Sequence, residues 1–140
     1  MEVLNLSIED INFGEKVVKP KSHSGETKRA WLNFFNEETS EVLKQYLESR
    51  KDNNPKLFPM LNKDSHPIWD EAKTKTGLTI TPQRVREWFC CEMVSRGVSD
   101  SYVDSFCERI HRSILAKHYL DYSPERIKEI YDKAYLRILQ

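Results

Sequence analysis

The stretch QRVREWFCCEMVSRG (residues 83–97), continued by VSDSYVDSFCERIHRSILAKHYLDY (98–122), decides how this chain folds. Thr81 and Pro82 stand just before it, a capping hydroxyl and a ring whose fixed φ suits the first helical position. A helix therefore starts at Pro82 and stops at Gly97, since glycine enters the left-handed conformation without a Cβ clash. Val85, Trp88, Phe89 and Met93 are expected to form its buried face. At ~100° per residue, Arg86 falls at one edge of that face and Arg84 at the other. Periodicity does not choose between them. Glu92 projects near the centre of the same face, so it must pair with a cation or show that the face is drawn wrongly. Beyond Gly97, Ser99 to Cys107 reads as a helix with Tyr102, Val103 and Phe106 apolar, and Ser113 to His118 as a shorter one.

The flanks are organised by similar local signals. Asn36 is a good N-cap for a helix from Glu37 to Arg50, whose first turn carries Glu37 and Glu38 where the macrodipole favours anions. Val42, Leu43, Tyr46 and Leu47 make its expected core stripe. After the polar break from Asp52 to Lys56, a helix from about Pro67 to Thr76 is expected to bury Ile68, Trp69 and Ala72, with Gly77 as its stop. Ser123 and Pro124 open a last helix striped with Ile127, Ile130, Tyr131, Ala134 and Ile138. Nearer the N-terminus, Val3, Leu4 and Ile8 or Ile11 could line one helical face, with Asn12 to Glu15 as a turn. Val17 and Val18 pair with the aromatic-rich run from Lys28 to Phe35 as two arms of a hairpin with Gly25 near its tip. The expected fold is α+β and mainly helical, with a small antiparallel hairpin or three-stranded sheet packed on a helical bundle.

Composition bounds the function. The chain has 140 residues, 39% hydrophobic and 31% charged, which describes one ordinary globular domain over residues 1–140 with enough material for a core. No apolar run approaches the ~20 residues a spanning helix needs, and no signal-peptide pattern opens the chain. Cys90, Cys91 and Cys107 are an odd number without metal-ligand spacing, which points to a reducing cytoplasm, and the four histidines do not cluster. No metal site and no cofactor are expected. The formal net charge is zero, which by itself argues against a nucleic-acid binder. Yet Lys16, Lys19, Lys21, Lys28 and Arg29 face only Glu26 between residues 16 and 29, and four acids face only Lys44 from Glu37 to Glu48. Charge alone fits a DNA-facing basic hairpin and two solvated faces of opposite sign equally.

The wording of residues 83–122, and above all SILAKHYLDYSPERIKEIYDKA (113–134), resembles the catalytic half of the tyrosine recombinases, the phage-type integrases, and looks most like the integrases of archaeal (fuselloviral-type) viruses and plasmids. The resemblance covers essentially the whole chain and implies the recombinase catalytic fold. It implies a nucleophile at Tyr119, with Tyr122 as the rival. It also implies phosphate-clamping arginines at Arg86, by its eleven-residue spacing to Gly97, and at Arg109, ten residues before Tyr119. Gln83 stands where the family has histidine or lysine. A hairpin lysine, Lys28 before Lys21, would protonate the leaving oxygen. By the same comparison Lys21, Arg29, Arg84, Arg112 and Lys117 are DNA contacts, and the family's first arginine falls two residues upstream of Met1. The implied partners are a double-stranded DNA attachment site and, through the C-terminal segment 124–140, a homo-oligomer (tetramer) on DNA. The implied activity is site-specific integration or excision of a mobile element. The alternative is a catalytically silent DNA-binding or regulatory fragment.

These residue types suit that chemistry. Attack on a phosphodiester adds charge to oxygens already anionic, and arginine binds such oxygens bidentately without ever losing its proton. Tyrosine, with a pKa near ~10, becomes a nucleophile only where a cationic pocket or a base favours its phenolate. A covalent phosphotyrosine stores the bond energy, so strand rejoining needs no nucleotide cofactor. A nearby acid must protonate the departing alkoxide.

Overall fold

In the computed structural model, which describes residues 2–20, 32–107 and 120–138, the described segments form a small sheet set against helices. Two 3-10 turns (Glu2–Asn5 and Ile8–Asp10) lead into strands β1 (Ile11–Asn12), β2 (Val17–Val18) and β3 (Asn33–Phe34). Helices α1 (Glu37–Ser49), α2 (His66–Thr76), α3 (Pro82–Ser95), α4 (Asp100–Phe106) and α5 (Pro124–Ala134) follow, with a 3-10 turn at Asn62–Ser65. The strands are antiparallel in the order β1-β2-β3, with Ile11 opposite Val18 and Val17 opposite Phe34. The paired arms of the expected hairpin are therefore β2 and β3, while Gly25 and the rest of 21–31 lie outside the described residues.

The N-terminal segment departs from the helical face expected for it. The Ile8 N–H donates to the Pro55 carbonyl at 2.9 Å and the Leu57 N–H to the Leu6 carbonyl at 2.8 Å, flanking a bridge between Ser7 and Lys56. Backbone groups committed to residues 55–57 cannot also serve a continuous i→i−4 ladder, so the chain makes tighter turns and Ile11 joins the sheet. Leu57 is buried beneath this pairing. Arg50 organises the same loop: its side chain is 7% exposed, pairs with Asp52, and donates to the carbonyls of Asn54 and Lys56 at 3.0 and 2.9 Å.

Three expected caps hold. Asn36 Oδ1 accepts from the Thr39 N–H at 2.9 Å, Thr81 Oγ1 from the Arg84 N–H at 3.2 Å, and Ser123 Oγ from the Arg126 N–H at 3.4 Å. Gly77 and Gly97 end their helices at φ of 70° and 82°. The buried faces differ more from expectation. In α1 the inward stripe is Ser40, Leu43 and Leu47, with Ser40 fully buried and Val42 half exposed, because a hydroxyl that hydropathy does not count as core occupies the central position. Tyr46 packs on Phe58 with ring centroids 5.5 Å apart. Helix α2 buries no residue and leaves Ile68 exposed, with Trp69 and Ala72 half-buried, since it leans mainly on the 3-10 turn before it.

The core lies where α3, α4 and α5 meet. Met93, Val98, Val103 and Ala134 are its buried members, with Phe89, Cys90, Tyr102, Phe106, Ile130 and Tyr131 packed around them. Phe106 is the hub: its ring lies 6.2 Å from Phe34 on β3, 6.2 Å from Phe89 on α3 and 5.7 Å from Tyr131 on α5, at the edge-to-face angles aromatic pairs favour. Burial pushes the Tyr131 phenol up to about 12, as expected for a ring serving as packing. The apolar stripe of α5 is thus used on its own chain, and Ile138 at its end is exposed.

Candidate active site

Helix α3 positions the first group of candidate residues. Its buried stripe is Phe89, Cys90 and Met93, a pattern that Arg86 begins as the residue three, four and seven positions earlier. Val85 and Trp88 were expected on this stripe but are 46% and 41% exposed. The reason is tertiary: α4 and α5 cover the side of α3 that carries Cys90, so the cysteine takes the place that the larger apolar residues would fill by hydropathy. The same fact separates the two arginines that periodicity left equal. Arg86 is exposed at the open end of the buried stripe, while Arg84, two residues away and so ~200° around the helix, faces elsewhere.

Glu92 resolves as a paired group. It accepts from Arg96 at 2.9 and 2.8 Å, one turn along the helix. Arg96 also donates to the carbonyls of Ala134 and Tyr135 at 3.0 and 2.8 Å, capping the C-terminus of α5, where Tyr135 is in the left-handed region at φ 49°. The other described arginines are likewise committed: Arg50 to Asp52 and loop carbonyls, Arg126 to Glu129 at 2.7 Å, and Arg137 to Tyr135. Among the described residues no carboxylate pairs with Arg84 or Arg86. Two cations without an internal anion therefore stand in the first turns of a helix whose N-terminal dipole also favours an anion.

Gln83 is exposed on the Arg86 side of α3, three residues earlier, and donates through Nε2 to Glu87 at 3.2 Å. Lys21, Lys28 and Arg29, between β2 and β3 in sequence, and Arg109, Arg112, Lys117 and Tyr119, between α4 and α5 in sequence, lie outside the described residues. The ends of the latter segment are nevertheless defined. Cys107 closes α4 with its Sγ 3.4 Å from Cys90, one turn along α3 from Arg86. On the far side Tyr102 Oη donates to the Asp121 carbonyl at 3.3 Å and its ring packs 5.5 Å from Tyr122.

Tyr122 is poorly suited to act as a nucleophile. Its hydroxyl oxygen is sealed from solvent, and burial raises its pKa against the opposing hydrogen bond with Ser101. A phenol in that position is harder to ionise.

A groove of about 820 Å³ separates the sheet from the start of α5, floored by Val17 and Phe34 and edged by Lys16, Lys19 and Lys128. Its lysines are matched by acids: Lys16 pairs with Glu37, Lys19 with Glu15 at 3.4 Å, and Lys128 with Asp132 at 2.6 Å while lying 5.9 Å from the Phe34 ring. The groove is amphipathic rather than an anion pocket. Among the described residues no group of three or more His, Cys, Asp or Glu could hold a metal, and no helix is long and apolar enough to cross a membrane.

Sequence reasoning did not find Arg50, Arg96, or the Asn36 amide that donates to the Leu136 carbonyl at 2.8 Å. Arg96 and Asn36 reach carbonyls 38 and 100 residues along the chain, whereas Arg50 acts within its own loop, on carbonyls four to seven residues on. No periodic pattern signals either.

The phage integrase family matches residues 1–126. The chain is 26% identical over 144 residues to a protein of Pyrococcus horikoshii named tyrosine recombinase XerA, covering 96% of this chain and 50% of that one. It is 27% identical over 134 residues to the Pyrococcus furiosus protein of the same name, covering 84% of this chain and 46% of the relative. The chain thus spans about half the length of the curated relatives it matches. A crystal structure of XerA recombinase shares the fold, with a TM-score of 0.57 at 23% identity over 98% of this chain and 52% of that one.

Proposed function

Since the chain belongs to the phage integrase family, the tyrosine recombinases, we propose that it carries out site-specific DNA recombination through a covalent 3′-phosphotyrosine. Tyr119 attacks the scissile phosphorus and displaces the 5′ oxygen. Arg86 and Arg109 hold the non-bridging oxygens and stabilise the charge that builds on them. Lys28, with Lys21 as the alternative, gives a proton to the leaving alkoxide. Gln83 donates a hydrogen bond to a phosphate oxygen after exchanging its Glu87 partner. A second DNA end then attacks the phosphotyrosine and restores the backbone without a nucleotide cofactor.

The observation that carries this reading is the position of Arg86. It stands exposed at the open end of the buried stripe of α3, with no described carboxylate to neutralise it. A second support is that the hydroxyl of the rival Tyr122 is sealed from solvent, which favours Tyr119 as the nucleophile of that run. Arg84, Arg112, Lys117, Lys21 and Arg29 supply backbone contacts that set register without reading sequence.

The biological setting in this reading is integration or excision of a mobile element in the host cytoplasm. Self-association on DNA uses residues 124–140, where the cis-packed face of α5 leaves Tyr135 and Ile138 exposed. The test is trapping on nicked duplexes whose nick prevents religation. Wild-type protein is expected to give a denaturation-resistant adduct. Salt-sensitive DNA binding without any adduct would instead make the chain a silent DNA-binding module.

A further inference from the structure

Cys90 and Cys107 stand 17 residues apart in sequence, yet their Sγ atoms are 3.4 Å from each other between α3 and the end of α4. We propose that these two thiols form a reversible dithiol–disulfide couple that staples α3 to the point where the chain leaves α4. Three observations support it. Closing the gap to the S–S bond length requires a movement of only about 1.4 Å. The two residues are half-buried, so a small disulfide can reach them while neighbouring proteins cannot easily do so. The helices that carry them are also held together independently of any bond, through Met93, Val98 and Val103 in the shared core. Cys91 follows Cys90 but is exposed on another side of α3, ~100° away, and is not part of the couple.

The oxidant is a low-molecular-weight disulfide. One cysteine thiolate attacks a sulfur of that disulfide, forms a mixed disulfide and expels one small thiolate, which takes up the proton the cysteine lost. The second cysteine, deprotonated in turn, attacks the protein sulfur of the mixed disulfide and releases the second small thiol. Two protein thiols are oxidised, one small disulfide is reduced to two thiols, and excess dithiothreitol reverses both steps. The staple lies one turn from Arg86 and joins α3 to the residue that closes α4.

The experiment is oxidation of the folded protein with oxidised glutathione, followed by intact-mass measurement and non-reducing peptide mapping. The expected result is a monomer lighter by two hydrogen atoms, linked Cys90 to Cys107, with a higher thermal midpoint that dithiothreitol reverses. The Cys91→Ser variant should form the same link and Cys90→Ser should not. A bond that instead joins Cys91 to Cys107 would overturn the proposal. So would thiols at 90 and 107 that stay alkylatable, or carry stable glutathione adducts, while the protein unfolded in guanidinium cross-links. Neither result depends on recombinase activity.

Discussion

Arg96 donates to the carbonyl oxygen of Ala134 at 3.0 Å, tying the end of α3 to the end of α5 across 38 residues of chain. The same guanidinium holds Glu92, so one side chain neutralises an acid on its own helix and caps another. Residues 134–138 are gripped from a second side, where Asn36 donates to the Leu136 carbonyl and Glu38 accepts from the Ile138 N–H at 2.8 Å. Between these clamps lies the chain end that this reading assigns to assembly on DNA.

Arg96→Met is expected to destabilise the fold by about 2 kcal/mol, the scale of a hydrogen bond to a charged donor with its partners left unsatisfied. Urea titration followed by circular dichroism measures it, and amide exchange should quicken first in α5. An unchanged midpoint would show that the cap contributes nothing.

Arg86→Ala is expected to lower single-turnover adduct formation by about 100- to 1,000-fold, as loss of one charge-stabilising donor does. Its exposure predicts stability within about 0.5 kcal/mol of wild type. Arg84→Ala should leave the cleavage step alone, weaken DNA binding, and reduce the salt slope by about 1. Equal behaviour of the two variants in both assays would remove the distinction drawn between them.

Tyr122→Phe is expected to keep adduct formation, because the Tyr122 hydroxyl is sealed and its pKa is raised by burial. Loss of the adduct with an intact melting curve would assign chemistry to Tyr122 instead.

The pair between Lys16, ahead of β2, and Glu37, at the start of α1, couples the sheet to the helix. The hydrogen bond from Lys16 lowers the Glu37 pKa below its ordinary 4.5, and the same bond raises that of Lys16 above 10.5. The acid's contribution is present above pH 4.5 and is lost as pH falls through the lowered value. The lysine's contribution is present below pH 10.5 and lost as pH rises through the raised value. Glu37→Gln should therefore differ from wild type in stability at neutral pH and converge with it in acid. Both groups are solvent-accessible, so added salt should shrink the difference.

Local chemistry was legible in the sequence. Asn36, Thr81-Pro82 and Ser123-Pro124 begin helices, and Gly77 and Gly97 end them, because capping and positive φ are decided within a few residues. What the residues alone did not reveal is which face each helix turns inward. Hydropathy favoured Val85, Trp88 and Val42, whereas Cys90 and Ser40 occupy the inward positions, since the partners α4 and α5 and the chain end set those faces. Periodicity left Arg84 and Arg86 equal for the same reason, and the covered Phe89–Cys90–Met93 side shows only that Arg86 continues the buried stripe. The long-range pairings of Arg96 and Cys90 have no periodic signature at all. Nor has the capture of residues 6–8 by 55–57, which replaced a helix with 3-10 turns. Of the candidate catalytic residues, Arg86 and Gln83 have a described position, while Tyr119, Arg109 and Lys28 rest on the sequence.

The most direct measurement is to incubate the protein with nicked duplexes of randomised flanking sequence, recover the denaturation-resistant adduct, and map the DNA-bearing peptide. The account predicts a phosphotyrosine at Tyr119 that disappears in Tyr119→Phe while DNA binding persists. An adduct mapped to any other residue, or one that survives Tyr119→Phe, would contradict it.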